Sequence, residues 1–260
     1  MQTRKRQTVF GEVADEYDRI RPGYPEQLVD DVLAAAGPGP VLEVGAGTGK
    51  ATGAFARRGI DLTCIEPDAR MAAVLRRNVP DVTVVVSPFE QWRPDRGYGL
   101  LYSAQAWHWV DQDRRADLAW AALAPGGVFA PFWNVFLVAD PGLHAALARV
   151  DARHGLDAHT AHRNLAGERV DLGDFLDDWP QLDLTGDRFT DRQSRRYEST
   201  LSYSSAGYRQ YLLSTSMYRL LDPAAAAAVL DDTVAVIDEH GGSIEFQVST
   251  DLALARRAPR

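Results

Sequence analysis

The residues of this 260-residue chain whose types and spacing could do chemistry are concentrated in Val41-Leu42-Glu43-Val44-Gly45-Ala46-Gly47-Thr48-Gly49-Lys50. One acid, Glu43, stands inside an apolar run, and three alternate glycines follow. Glycine accepts positive φ and lets a ligand reach the backbone without meeting a Cβ. A phosphate-cradling loop of the Gly-x4-Gly-Lys-Ser/Thr type would need glycine at 44 and a hydroxyl at 51. Val44 and Ala51 stand there, so that chemistry fails twice. A dinucleotide fingerprint wants its third glycine one place after Gly49, where helix and strand pack closely. Lys50 fills that place and weakens the reading. The remaining pattern, Glu-x-Gly-x-Gly-x-Gly, sets an acid two residues before the first glycine. Such an acid repels a diphosphate and suits a ligand with a cationic amino-acid end.

The elements that must position these groups follow from the flanking sequence. Val41 to Val44 reads as a short buried strand and residues 50–58 as a helix. Strand, glycine turn and helix form the nucleotide-binding opening of a doubly wound sheet. A second strand, 60–65, ends at Glu66-Pro67-Asp68, about twenty residues beyond the glycine turn, where a strand-end acid accepts hydrogen bonds from ribose hydroxyls. A helix over 69–78 and a strand over 82–86 follow, then Ser87-Pro88-Phe89-Glu90. A fourth strand, 99–104, ends at Gln105-Ala106-Trp107-His108-Trp109. Ligands of open α/β sheets bind beyond the carboxyl ends of the strands, so this loop should face the glycine turn. Trp107 and Trp109 are either core residues or walls of an acceptor pocket, where aromatic faces attract a cation and exclude water. His108 is either a general base or a residue that shapes the loop. A helix over 114–123 closes at Pro125-Gly126-Gly127. A fifth strand, 128–133, leaves Asn134 facing the pocket or satisfying a turn.

S-adenosylmethionine (SAM) has a cationic amino-acid end, a sulfonium and no phosphate. The glycine segment resembles motif I of the class I SAM-dependent methyltransferases. Residues 14–25 (Ala-Asp-Glu-Tyr-Asp-Arg-Ile-Arg-Pro-Gly-Tyr-Pro), Glu66, residues 103–111 and Leu123-Ala124-Pro125-Gly126-Gly127 resemble the small-molecule branch of that family. The resemblance is strong over roughly 10–135. It implies a mostly parallel, Rossmann-like sheet of seven strands with helices on both faces and a helical lid. It implies a cofactor site of Glu43, Gly45, Ala46, Gly47, Thr48, Gly49, Glu66, Pro67, Met71, Phe89, Ser103 and Gln105. Tyr17 would cover the methionine end and, with His108, serve the chemistry; Arg21 would help hold that segment and, with Trp107, Trp109 and Asn134, face the acceptor. Met71 would pack on the adenine or simply in the core. Many relatives carry an acid for the adenine amino group where Pro88 stands, so adenine here would fall to backbone near Phe89. The implied reaction moves the SAM methyl to a small molecule and leaves S-adenosylhomocysteine.

A formal charge of −8 disfavours nucleic acid as a partner. The one cysteine, Cys64, excludes an internal disulfide framework and, in an apolar strand, reads as an inert thiol. No run approaches the roughly 18–20 apolar residues of a membrane helix, and the N-terminus lacks the apolar core of a secretory signal. A cytoplasmic protein, monomer or homodimer, in one domain follows: 1–37 as cover, 38–135 as cofactor core, about 155–220 as lid, 221–260 as terminal helix and edge strand. Within the lid interval a strand is expected near 186–200 and an aromatic-rich helical stretch over 205–221. His159 and His162 are too irregularly spaced for a metal site. Two rivals stand beside the transferase: a nicotinamide-dependent oxidoreductase on the same sheet, and a SAM-binding protein that does not methylate.

Overall fold

The computed structural model describes residues 10–156, 160–167 and 187–259. In chain order the elements are α1 (Ala14–Ile20), α2 (Glu26–Ala35), β1 (Val41–Val44), α3 (Thr52–Ala56), β2 (Leu62–Glu66), α4 (Ala69–Asn78), β3 (Thr83–Val86), β4 (Tyr98–Ala104) and α5 (Arg115–Ala122). Then come β5 (Leu123–Val138), α6 (Pro141–Arg153), β6 (Asn164–Leu165), β7 (Phe189–Ser204), α7 (Ser205–Leu213), α8 (Ser216–Leu220), α9 (Pro223–Glu239) and β8 (Ser243–Arg257). The described chain forms two compact units. One takes residues 22–134, 187–197 and 250–259; the other takes 10–21, 135–156, 160–167 and 198–249.

The first of these is the doubly wound sheet. Its strands run β3-β2-β1-β4-β5-β8-β7. β1 pairs in parallel with β2 on one side and β4 on the other, and β3 and β5 extend the parallel set. Strands buried on both faces need apolar residues throughout, and all four residues of β1 are buried. Alternation along the strands feeds two cores. Val41, Leu100, Tyr102, Val128, Ala130 and Phe132 pack with α2 and α3. Leu42, Val44, Leu101 and Phe129 pack with Ala119 and Ala122 of α5. Helices therefore cover both faces, as the sequence predicts.

Two boundaries differ from expectation for local reasons. Pro125-Gly126-Gly127 reads as a helix stop, yet these residues lie inside β5. The ladder with β4 slips between Tyr98/Leu123 and Leu100/Val128, and Gly126 takes φ +75° in that bulge. The terminal strand is not an edge. β8 lies between β5 and β7, antiparallel to both, as Arg256 Nη1→Gly126 O and Ala139 N→Glu245 O show on one side and Ala258 N→Arg188 O and Ser205 N→Gly242 O on the other. The edge belongs to β7, whose charged residues Asp191, Arg192, Arg195 and Glu198 discourage further pairing.

The second unit is mainly helical. α9 packs on α6 and α7 around Leu147, Tyr208, Leu212, Leu230, Ile237 and Phe246. Arg21, at the end of α1, is tied down by Nε→Ser214 Oγ at 3.0 Å, Nη2→Ser214 O at 3.1 Å and Nη1→Tyr211 Oη at 3.3 Å. Its guanidinium lies 5.0 Å from the Tyr17 ring centre and 4.6 Å from that of Tyr211. His162 is a buried core histidine: Nε2 is 2.9 Å from Asp151 Oδ2, and Nδ1 is 2.9 Å from the Tyr208 hydroxyl. The strand expected near 186–200 is β7, Phe189–Ser204, and α7 and α8 supply the helical stretch expected over 205–221. Of the interval expected as a lid, residues 157–159, with His159, and 168–186 lie outside the described residues, as do 1–9 with Arg4-Lys5-Arg6. Among the described residues no helix is long and apolar enough to cross a membrane.

Candidate functional site at the carboxyl ends of the parallel strands

The site is built in the sheet unit, where β1, β2 and β4 end side by side. The register sets Glu43 opposite Cys64 on β2 and Tyr102 on β4. Glu43 is 1 % exposed. Its Oε2 accepts hydrogen bonds from Thr52 Oγ1 at 2.5 Å and Tyr102 Oη at 2.9 Å, with the Cys64 thiol at 3.6 Å. Its Oε1 is buried without a protein partner. Burial raises the Glu43 pKa to about 7, against the opposing effect of those three donors, and the charge of Glu66 pushes the same way as burial. Burial, seconded by the Glu43 charge, also drives the Cys64 thiol far up, which fits an inert thiol.

The glycine turn crosses from β1 to α3 with Gly45, Gly47 and Gly49 at φ +75°, +58° and +93°. The three serve different ends. A Cβ on Gly45 would fall 2.3 Å from the Ala106 Cβ, and one on Gly49 would fall 2.6 Å from Leu75 Cδ1. These two are glycine so that the fold can close. At Gly47 the nearest atom to a Cβ is Met71 Cε at 3.7 Å, so packing alone would tolerate a side chain there. Gly45 and Ala46 donate to Ile65 O, which fixes the turn against β2. Thr48 is buried, and its hydroxyl, like Glu43 Oε1, has no partner.

Glu66 closes the other side. Its Oε2 accepts from Gly47 N and its Oε1 from Asp68 N, both at 2.8 Å. Burial lifts its pKa to about 7 although both backbone donors favour the carboxylate. Each oxygen keeps acceptor capacity beyond one bond. Asp68 caps α4 by accepting from Arg70 N, and Pro67 between them is exposed. Met71 and Phe89 are both buried, and Phe89 stacks near Trp92 with ring centres 6.0 Å apart. Glu90, next in line, accepts from Asp111 N and braces that loop.

The β4 end divides the residues that sequence reasoning grouped together. Ser103 is buried, and its hydroxyl donates to Val44 O at 2.8 Å, which ties β4 to β1. Trp107 is 0 % exposed and packs on Phe129 at 4.5 Å; it takes the core alternative. Gln105 has φ +57°, a strained value for a residue with a Cβ. It is held by N→Phe132 O at 2.9 Å and Nε2→Asn134 O at 3.1 Å. Asn134 lies within β5 and satisfies no turn: Nδ2 donates to Gly23 O, and Oδ1 accepts from Thr250 Oγ1. His108 and Trp109 are the solvent-accessible pair, with ring centres 4.6 Å apart. The His108 ring keeps open surface, yet the protein crowding it, followed by the charge of Arg115, lowers its pKa below the usual 6.5. It is neutral at physiological pH and free to accept a proton.

Tyr17 and Arg21 belong to the helical unit described above. Sequence reasoning missed Thr52, Tyr102 and Ala106. Tyr102 becomes visible only once the strand register is known. Thr52, nine residues after Glu43, carries no signal until the glycine turn folds back.

The family model described as "Methyltransferase domain" matches residues 41–127, the stretch from β1 to the bulge of β5. An uncharacterized methyltransferase of Mycobacterium bovis and its counterparts in two Mycobacterium tuberculosis strains are each 37 % identical over 126 residues, 48 % of this chain and 51 % of theirs. The match thus spans about half the length of these relatives. A solved structure described as a type II methyltransferase of Anaeromyxobacter dehalogenans superposes with a TM-score of 0.64 at 22 % identity, over 92 % of this chain and 99 % of the other. A SAM-dependent methyltransferase of Geobacter sulfurreducens, solved with S-adenosylhomocysteine, gives 0.53 at 16 % identity over 98 % and 100 %. At these identities the two structures speak for the fold. Residues 41–127 thus match a methyltransferase domain in sequence, and the strand order and glycine turn described above agree with the fold of these solved structures.

Proposed function

We propose that the sheet unit binds SAM across the glycine turn and that the protein transfers its methyl group to a small-molecule acceptor, releasing S-adenosylhomocysteine. The observation that carries this reading is the buried Glu43 carboxylate. It has one oxygen doubly held and the other without a protein partner, and it stands on the strand that leads into the glycine turn, where Gly47 leaves room for a ligand. A buried acid without a counter-charge is costly to ionise, and a ligand ammonium removes that cost. A diphosphate would meet Glu43 and Glu66 as like charges. The residues therefore fit SAM: Glu43 toward its amino-acid end, Gly47 and Thr48 along its length, Glu66 toward the ribose hydroxyls, and Met71 and Phe89 as apolar cover for the adenine.

Bound SAM supplies an electrophilic methyl group. The protein's part is alignment and exclusion of water; well-oriented intramolecular reactions gain roughly 7–11 kcal/mol from alignment. Trp109 contributes an aromatic wall beside His108. The His108 ring, uncharged at neutral pH, takes the proton from an acceptor hydroxyl, amine or enol as the new bond forms. The formal charge of −8 supports a small acceptor over nucleic acid.

Calorimetry with SAM, S-adenosylhomocysteine and NADH tests the cofactor assignment. The first two should bind and the third should not. Release of S-adenosylhomocysteine over a panel of hydroxyl, amine and carboxylate metabolites tests turnover. Binding of NADH in place of SAM would overturn the proposal.

A further inference from the structure

We propose that Tyr102 and Thr52 are positioning residues that hold the Glu43 carboxylate ready for a cation, so that cofactor uptake at this site releases a proton from Glu43. The inference rests on reading the site as a SAM site. Its ground is geometric. Two hydroxyls, one from β4 and one from α3, converge on a single oxygen, Oε2, at 2.9 and 2.5 Å. The second oxygen is buried with no protein donor. The carboxylate cannot turn to share its donors without breaking both bonds.

The groups that face Glu43 come from three elements. β2 brings the Cys64 thiol and, at its end, Glu66; β4 brings Tyr102; α3 brings the neutral Thr52 hydroxyl. Cys64 and Tyr102 are both held protonated by burial. Of these, the groups that change charge near neutrality are Glu43 and Glu66, both raised to about 7 by burial. The sign follows. Below pH 7 the apo protein holds a proton on Glu43, and a ligand ammonium must displace it. Above pH 7 the carboxylate is already charged and the linkage disappears. A neutral carboxylic acid can still accept from Thr52 or Tyr102, but both donors favour the anion, so each sets the pH at which the site becomes competent.

The experiment is calorimetric titration of the full chain with S-adenosylhomocysteine, which carries the ammonium without the sulfonium. It is run from pH 5.5 to 7.5 in two buffers of different ionisation enthalpy. The ligand's own α-amino group stays largely protonated in this range. Wild type should release protons on binding. For an acid titrating near 7, affinity should fall about 25-fold from pH 7.5 to 5.5, with Glu66 adding its own dependence. Tyr102→Phe keeps the ring, which stacks on Phe55 at 4.0 Å, and removes only the donor. Its midpoint should move up by about one pH unit. Thr52→Val should shift it the same way, and Thr52→Ser should restore it. A merely structural role for either residue would lower affinity at every pH and leave the midpoint in place. Absence of proton release in wild type, or an unmoved midpoint in a folded Tyr102→Phe or Thr52→Val variant, overturns the inference. Failure to bind S-adenosylhomocysteine at any pH overturns instead the assignment of the site. Absence of proton release in wild type overturns the linkage even where a variant does not fold.

Discussion

Replacing Glu43 by Gln should stabilise the ligand-free protein at alkaline pH while abolishing its function. The carboxyl group titrates at 4.5 in an open chain and near 7 in the fold, because it is buried. The folded state therefore binds the proton more tightly than the unfolded state. Stability owed to this group is complete below pH 4.5 and is lost as pH rises through 7. The span between the two values corresponds to about 3 kcal/mol at full ionisation. Gln keeps an oxygen for Thr52 and Tyr102 and cannot ionise. At pH 5 wild type is itself mostly neutral at this position, so the two proteins should differ little. At pH 8.5 the variant should gain by about 2.5 kcal/mol relative to that comparison, since the unfolded wild type is already mostly ionised at pH 5. Glu66, whose charge is coupled to that of Glu43, ionises more readily in the variant, which moves the difference in the same direction. Urea denaturation of both proteins, without ligand, at pH 5 and 8.5 gives the four free energies required. A stability difference that is the same at the two pH values would refute the reasoning, since it would mean that Glu43 is not ionised under strain. Binding of S-adenosylhomocysteine at pH 8 should disappear in the variant. Stability and cofactor capture would then be opposed at one residue, the usual trade-off at functional sites.

Two of the three glycines of the turn separate fold from function. Gly47→Arg should fold, with a backbone cost of about 1–2 kcal/mol for its φ of +58°, and should lose SAM binding; unchanged affinity would discard the site. Gly45→Ala should instead lose stability by more than about 2 kcal/mol, because its Cβ would lie 2.3 Å from that of Ala106; a denaturation midpoint equal to wild type would refute the packing. His108→Ala should lower turnover far more than SAM affinity, and a normal rate with every accepted substrate would remove the ring from the mechanism. In the helical unit, His162→Phe strands Asp151 Oδ2 and the Tyr208 hydroxyl at about 1–3 kcal/mol for each group. Urea denaturation should show that loss, and a change below 1 kcal/mol would contradict the buried network.

The legible half of the site was the half written in consecutive residues. Glu43 to Gly49 could be read because one turn between one strand and one helix supplies both the acid and the bare backbone, and no distant partner is needed to see it. Glu66 was legible because a parallel strand of standard length places its end beside the first. What could not be read is lateral. Tyr102 is 59 residues from Glu43 and meets it only through the pairing of β1 with β4. Asn134 looked like a pocket residue because it follows a strand end. Its side chain is instead spent on Gly23 and Thr250, 111 and 116 residues away. Trp107 and Trp109 carry the same sequence signal on either side of His108. A short 3-10 turn over Trp107–Trp109 sends one ring into the core and leaves the other accessible, and no periodicity distinguishes them.

The same limit explains the terminal strand and the interval before it. A last strand in the chain invites placement at the edge, since an edge needs only one neighbour. Ile244, Phe246, Val248, Leu252 and Leu254 are all buried along β8, and Ala253 and Ala255 are buried on the alternate face. Burial on both faces through the second half of a strand is the mark of an interior position, and it stood in the sequence as Leu252-Ala253-Leu254-Ala255. β7 shows the converse. Nearly every residue from Thr190 to Arg196 is charged or polar and most are exposed, the composition of a strand that must pair on one side and refuse pairing on the other. Order in the sheet is thus encoded by how completely each strand is apolar, not by where it falls in the chain. A reading that weighed β7 and β8 by that criterion would have put the charged strand outside and the apolar one within.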